Sequence, residues 1–205
     1  MVKKPTAGII LAAGMSTRFG RPKQLLKIGD STILSMVVDA AIKSELDKIV
    51  LVLGHKADTI SDSLGELLSD SRLKTVINPR YQEGMSTSLQ CALTGIRNEF
   101  PSIMVLMGDQ PLLSDQVINI LLRQFRKSGK DICVPVYEGK RGLPVCVTKR
   151  FYDNILEVKG DMGARDIIRN HPTDVLTLEM EDSTPFMDID KETDLERLQS
   201  IIKER

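Results

Sequence analysis

Cations, hydroxyls and small residues crowd into one stretch of the chain, Ala13-Gly14-Met15-Ser16-Thr17-Arg18-Phe19-Gly20-Arg21-Pro22-Lys23. Small residues let a backbone approach a ligand closely, Gly14 and Gly20 permit tight turns, and successive N–H groups in such a loop surround anionic oxygens. Ser16 and Thr17 add hydroxyls. Arg18 and Arg21 can grip a phosphate through two parallel bonds, and Lys23 acts as a mobile point charge. No Gly-Lys-Ser/Thr closes the loop, so it is no P-loop, and it is not G-x-G-x-x-G. The plainer alternative is a surface turn with solvated charges. Two acidic positions complement the loop. Asp109, in Met107-Gly108-Asp109-Gln110-Pro111, is a carboxylate of the kind magnesium takes alongside substrate phosphates. Capping of the following helix falls more naturally to Ser114 and Asp115, which lie nearer to it. As a surface functional residue, Asp109 should tolerate replacement by alanine within about 0.5 kcal/mol of stability. In Phe186-Met187-Asp188-Ile189-Asp190, alternation puts Asp188 and Asp190 on one face if the segment is a strand, whereas Asp190 alone would suit a helix cap. Between these, Gly84 permits close approach, and Ser86 and Ser88 offer hydroxyls and N–H groups at a helix start.

The elements that must hold these residues are written in the apolar periodicity. Gly8–Ala12, Lys48–Leu53, Leu73–Ile77 and Ile103–Met107 are continuous apolar runs bounded by Gly or Pro, as in parallel strands buried on both faces. Helical spacing follows Ser31-Thr32 (Leu34, Val37, Val38, Ala41, Ile42), runs from Thr87 to Ile96, and runs from Ser114 to Phe125. Strands are expected near 131–135, 143–147, 175–178 and 185–188. Helices are expected near 150–158, 163–170 and 191–203. The alternation predicts an α/β class: three-layer α/β/α, with a Rossmann-like, mostly parallel sheet. Ligands then bind beyond the carboxyl ends of the strands, where the loops after Ala12, Ile77 and Met107 converge. A single domain over 1–205 is expected, with a nucleotide-binding half at about 7–112 and an acceptor-binding half at about 113–205.

Bulk composition narrows the classes. Hydrophobic residues are 41% and charged residues 27%, ordinary for a globular chain, and 28 basic residues balance 28 acidic ones, which argues against a nucleic-acid binder. The apolar run at 7–13 is too short for a signal peptide or a membrane span, so a cytoplasmic protein with no membrane association is expected. Cys91, Cys133 and Cys146 form no Cys-x-x-Cys pair and read as buried reduced thiols. His55 and His171 have no Ser or Cys partner in a recognisable motif.

Leu11-Ala12-Ala13-Gly14-x-Ser16-x-Arg18-x-Gly20-x-x-Lys23, followed by Gln24-Leu25-Leu26, resembles the signature of the MobA-like nucleotidyltransferases, which include the molybdenum cofactor guanylyl- and cytidylyltransferases. Sugar-phosphate and isoprenoid cytidylyltransferases share a looser version of the loop. The resemblance implies a magnesium-dependent transfer in which Leu11, Ala12, Ala13, Gly14, Ser16, Arg18 and Lys23 bind the nucleoside triphosphate. Gly84, Ser86 and Ser88 would lie against the base. Arg18, Lys23 and Asp109 would be catalytic. Asp109 with Asp188 (or Asp190) would hold Mg2+, Asp188 being preferred. Arg141-Gly142-Leu143-Pro144 and Lys159-Gly160-Asp161-Met162-Gly163-Ala164-Arg165 resemble later motifs of the cytidylyltransferase branch, with Leu143 where His is usual. They imply Pro144, Lys159, Asp161 and Arg165 on the acceptor side, while Asp161 has the alternative of facing a helix N-terminus. Leu-Ala-Ala-Gly and Gly-Asp-Gln-Pro point to CTP, since a Cβ at Ala13 would narrow the room for a purine. The implied acceptor is molybdopterin carrying molybdenum, with a molybdenum hydroxylase as a downstream partner. Two rivals stand beside this reading: the same fold with a sugar or alcohol phosphate as acceptor, and a non-catalytic accessory protein for hydroxylase maturation.

Overall fold

The computed structural model describes residues 4–160 and 165–203, without the side chain of Arg18. In chain order the elements are β1 (Thr6–Leu11), the hairpin β2 (Lys27–Ile28) and β3 (Ser31–Thr32), α1 (Ile33–Lys43), β4 (Lys48–Leu53), α2 (Ala57–Leu64), β5 (Leu73–Ile77), α3 (Met85–Ile96), β6 (Ser102–Met107), α4 (Asp115–Ser128), β7 (Ile132–Tyr137), β8 (Lys140–Arg141), β9 (Val145–Thr148), α5 (Tyr152–Glu157), α6 (Arg165–Asn170), β10 (Val175–Glu179) and α7 (Glu192–Lys203). The main sheet runs β10-β7-β9-β6-β1-β4-β5, with β8 paired to β7. β1, β4, β5 and β6 are mutually parallel through the pairs β1–β4, β1–β6 and β4–β5, and β9 runs against both β6 and β7. The loops after β1, β5 and β6 therefore leave the sheet on one edge, as the apolar runs predict.

Burial on both faces explains why those runs do not alternate. Ile9 and Leu11 of β1 pack with Leu89, Leu93, Tyr152 and Ile167 from α3, α5 and α6. Ile10 faces the other way, towards Leu34, Ile60 and Ile118 from α1, α2 and α4. This is the expected three-layer arrangement. Thr32 closes the start of α1 with a capping box, its hydroxyl accepting from the Ser35 N–H at 3.1 Å, and Ser114 accepts from the Val117 N–H at the start of α4. A third apolar cluster joins Leu195 and Leu198 of α7 to Ile28, Ile33, Leu112 and Ile189. It fixes the last helix beside the first loop and the turn after β6.

Two expectations change. The segment 185–188 is not a strand: Thr184–Phe186 forms a 3-10 turn, so Asp188 and Asp190 are not placed by strand alternation. Of the cysteines, Cys133 and Cys146 are buried but Cys91 is only half-buried, and all three are free thiols. Among the described residues no helix is long and apolar enough to cross a membrane.

Candidate active site

The first loop keeps its shape through a buried amide. Gln24 is 3% exposed, and its Nε2 donates to the carbonyls of Ala12 and Gly14, each at 3.0 Å. Those carbonyls would otherwise be left without partners where the chain quits the sheet. Ser16 adopts the left-handed conformation (φ 53°, ψ 42°), a strained choice for a residue with a side chain. Its hydroxyl accepts from the Lys23 N–H at 3.0 Å and donates to Gln24 Oε1 at 3.2 Å. Ser16 thus closes the loop on itself. Gly14 is not in a left-handed conformation, and a Cβ there would meet nothing within 4 Å, so the fold itself makes no demand for glycine; Gly14 instead forms open cavity wall.

Closure of the loop aims Lys23 at the second motif. Its Nζ donates to Asp109 Oδ2 at 2.5 Å and to Asp190 Oδ1 at 2.9 Å. Burial works against the ammonium charge, but Asp109 and Asp190 outweigh it and hold the lysine pKa above its ordinary value. Gly108 makes the approach possible: a Cβ there would stand 2.9 Å from the Ala12 Cβ and 3.1 Å from the Leu11 carbonyl oxygen. Asp109 is only 8% exposed, and its Oδ1 is buried without a hydrogen-bond partner. It is not the surface residue expected above, and deleting its carboxylate would leave Lys23 poorly compensated, at a cost of about 1–3 kcal/mol. Ile189 N–H donates to the Asp109 carbonyl, and Asp194 accepts from the backbone N–H groups of Asp190 and Lys191, which sets Asp190 beside Lys23. Asp188 turns towards Gln110, whose Nε2 donates to Oδ1 at 2.9 Å. Water reaches Asp188 from the open side, while surrounding protein and the charge of Asp109 push its pKa up to about 6.

Two cavities meet across Leu11 and Met85. The smaller, about 350 Å³, is walled by residues 11–17, Lys23, Gln24, Tyr81, Gln82, Gly84, Ser88 and Asp109. The larger, about 680 Å³, has an apolar floor from Leu11, Val105, Pro135 and Val145 and a rim that includes Arg141, Arg165, Arg197 and Asp188. Buried Asn78 braces the start of α3 beside the smaller cavity: its Nδ2 donates to Thr87 and Ser88, and its Oδ1 accepts from the Arg80 N–H. Gly84 (φ 109°) packs on Gly160, whose backbone a Cβ would approach to 2.8 Å.

Of the sequence-predicted residues, Leu11, Ala12, Ala13, Gly14, Ser16, Lys23, Gly84, Ser88 and Asp109 surround the smaller cavity, and Arg165 and Asp188 the larger. Four line neither cavity: Asp190 reaches the site through its bond to Lys23, and the other three lie elsewhere. Ser86 is buried and spends its N–H on the Gly160 carbonyl; Pro144 is buried beside β9; Lys159 is exposed away from both cavities. The side chain of Arg18 and the whole of Asp161 lie outside the described residues. Ala13 is 5% exposed, and its methyl stands 2.9 Å from where a Cβ on Gly54 would be. It packs into the core cluster while still lining the smaller cavity, so only a small part of it is open to a bound base. Gln24, Asn78 and Arg197 carry no expected role, and Arg141 stands only as the first residue of the motif Arg141-Gly142-Leu143-Pro144. Gln24 opens the run Gln24-Leu25-Leu26, and Asn78 precedes the Pro79 that bounds the apolar run Leu73–Ile77.

A family model described as MobA-like NTP transferase domain matches residues 8–175. The chain belongs to this family. It is accordingly an enzyme, a nucleotidyltransferase. The molybdenum cofactor cytidylyltransferase of Escherichia coli (strain K12) is 26% identical over 189 residues, 91% of this chain and 91% of that protein. The bifunctional protein GlmU of Sorangium cellulosum is 31% identical over 129 residues, 61% of this chain, but the match spans only 27% of that protein's length. Among solved structures, the Rv0371c homologue from Mycobacterium sp. strain JC1 superposes with a TM-score of 0.83 at 29% identity, covering 98% of each chain. In this MobA-like transferase Asp190 and α7 lie beyond the matched span, yet the Lys23–Asp190 contact ties them into the site.

Proposed function

We propose that the protein is a magnesium-dependent CTP:molybdopterin cytidylyltransferase. It would join the acceptor's phosphate to the CMP moiety of CTP and release pyrophosphate, giving molybdopterin cytosine dinucleotide for a molybdenum hydroxylase. The observation behind this reading is the cluster of Asp109, Lys23 and Asp190, with Asp109 and Lys23 in the wall of the small cavity lined by the first loop and a larger arginine-rimmed cavity adjoining it. CTP and the molybdopterin acceptor are favoured by the relative that aligns along 91% of the chain.

The donor set suits a hard cation. Asp109 Oδ1 is buried and has no hydrogen-bond partner, and the neighbouring ligands are carboxylate oxygens. Among the described residues no three acids, histidines or cysteines gather to enclose a metal by themselves. Magnesium commonly uses one or two carboxylates and takes its remaining ligands from phosphates and water. Asp109 and Asp190 would hold it, with Asp188 beside them. When bound, Mg2+ neutralises phosphate charge and aligns attacking and leaving oxygens.

An oxygen of the acceptor phosphate attacks the α-phosphorus; that P–O bond forms while the bond to the β-phosphate oxygen breaks, and pyrophosphate departs with the electron pair. A phosphate is already nucleophilic at neutral pH, so no activated Ser or Cys is required. The enzyme's task is to bring two anions together in line. The first loop and Lys23 receive the triphosphate, with Arg18 assigned to it by the family motif. Arg141, Arg165 and Arg197 hold the acceptor's charge, and the apolar floor receives its body.

Pyrophosphate release from CTP, GTP, UTP and ATP, each with molybdenum cofactor or with sugar and alcohol phosphates, tests the assignment. Turnover is expected with CTP, Mg2+ and molybdenum cofactor. Asp109→Asn should lower kcat/KM by about three orders of magnitude, the several kcal/mol a metal contributes to a transition state. Product with a sugar phosphate and none with molybdenum cofactor overturns the acceptor. Hydroxylase maturation supported equally by Asp109→Asn overturns catalysis in favour of an accessory role.

A further inference from the structure

One ammonium group stands between the two carboxylates that would hold the metal. Lys23 Nζ lies 2.5 Å from Asp109 Oδ2 and 2.9 Å from Asp190 Oδ1, and the Lys23 and Asp109 side chains are only 18% and 11% exposed. Two cations this close repel strongly on the buried Asp109 side of the group, where solvent screens least; Asp190, 46% exposed, is its open side. Only the side chain of the lysine would have to move for the ammonium to leave. Its backbone is anchored, the N–H bonded to Ser16 Oγ at 3.0 Å, so motion is confined to the side chain. That side chain lines the same cavity as residues 11–17, where the triphosphate is expected. Asp109 Oδ1, buried and without a hydrogen-bond partner, shows that the ammonium satisfies only part of the carboxylate.

We propose that Lys23 is an exchangeable occupant of the divalent-cation site. Its ammonium holds Asp109 and Asp190 together in the free enzyme and passes to the triphosphate when metal and nucleotide enter together. A metal ion arriving alone must expel an ion-paired ammonium that has nowhere better to go. A metal ion arriving with a triphosphate supplies the ammonium with new counter-charge. The site therefore rejects free divalent cations and accepts them with nucleotide, so a loaded metal reports that substrate is present.

The proposal rests on the assignment of the metal to Asp109 and Asp190. Its test is the affinity of the full chain for Mn2+ alone, without nucleotide, followed by electron paramagnetic resonance of the free ion. Lys23→Met should bind Mn2+ at least about tenfold more tightly than wild type, because two carboxylates lose their internal cation. Lys23→Gln, which keeps a donor between the carboxylates and guards against misfolding, should also bind more tightly. Lys23→Arg should stay as weak as wild type. Adding Asp109→Asn to Lys23→Met should abolish the gain. Unchanged Mn2+ affinity in Lys23→Met and Lys23→Gln, or a gain that survives Asp109→Asn, overturns the exchange. If that happens while Asp109→Asn still abolishes metal-dependent turnover, the exchange fails and the site assignment stands. If Asp109→Asn turns over like wild type, the assignment fails as well.

Discussion

Asp188 holds its proton to a higher pH than an ordinary carboxyl, because protein crowds it and Asp109 stands near; the pKa rises from 3.8 to about 6. A carboxyl whose folded pKa lies above its unfolded value binds protons more tightly in the native state. Its stabilising contribution is complete below the unfolded pKa and is lost as pH rises through the folded one. The window here runs from about pH 4 to about pH 6. Asp188→Asn, which retains an oxygen to accept from Gln110, removes that loss. Thermal unfolding should show the variant with a higher Tm than wild type at about pH 7.5 and the two curves converging near pH 4. A gap independent of pH would count against the assignment. Residues of this kind were legible as chemistry: Lys23, Asp109 and the Asp188/Asp190 pair stood out by type and spacing. Gln24 and Asn78 did not, because their work is to satisfy backbone and hydroxyl groups that converge only once the chain has folded.

Gly84 shows how an element boundary joins the two cavities. Its φ of 109° and its contact with the Gly160 backbone press the start of α3 against the loop before α6. The Gln90 amide adds bonds to the carbonyls of Leu156 and Val158 at 2.9 and 2.7 Å. Gly84→Ala should cost about 1–3 kcal/mol, through backbone strain and a clash that neither glycine can relieve. Denaturant unfolding should record this, together with raised KM for both substrates. Gly95→Ala is the control: it is an exposed position in the last turn of α3, and its Cβ meets nothing within 4 Å, so the variant should be neutral or more stable by a fraction of about 1 kcal/mol. At this scale the four parallel strands were readable because burial on both faces makes a run continuously apolar. Helix α2 was not, since Ala57–Leu64 is mostly polar and buries only Ile60 and Leu64. The two exposed residues of β8 are too few to leave a pattern. The alternation at 185–188 misled because a turn that buries Pro185 and Ile189 leaves Asp188 exposed between them, much as a strand does.

Across the molecule, α7 is the part whose contribution to the site composition could not announce. Leu198 is fully buried against the cluster that includes Ile28, Ile33 and Leu112, and Asp194 at the start of the same helix fixes the backbone of Asp190. Leu198→Ala should lower stability by about 2–5 kcal/mol, as other large-to-small core changes do. It should also weaken metal–nucleotide binding more than a matched change such as Leu93→Ala under α3, measured by calorimetry with Mg2+ and CTP. Equal losses from both variants would show that α7 adds only bulk stability.

The bridge from Lys23 to Asp190 spans 167 positions. On the ribosome, the lysine emerges long before its second carboxylate, and Asp109 appears about midway. The parallel strands and the first loop are all synthesised before Asp190, the acid whose backbone α7 holds through Asp194. If Asp109 and Asp190 hold the metal as proposed, a chain that stops short of Asp190 would have only one of the two carboxylates. On the proposed reading, competence to break a phosphoanhydride then waits for Asp190, 167 positions after the lysine, and a chain cut before that point should turn over no nucleotide.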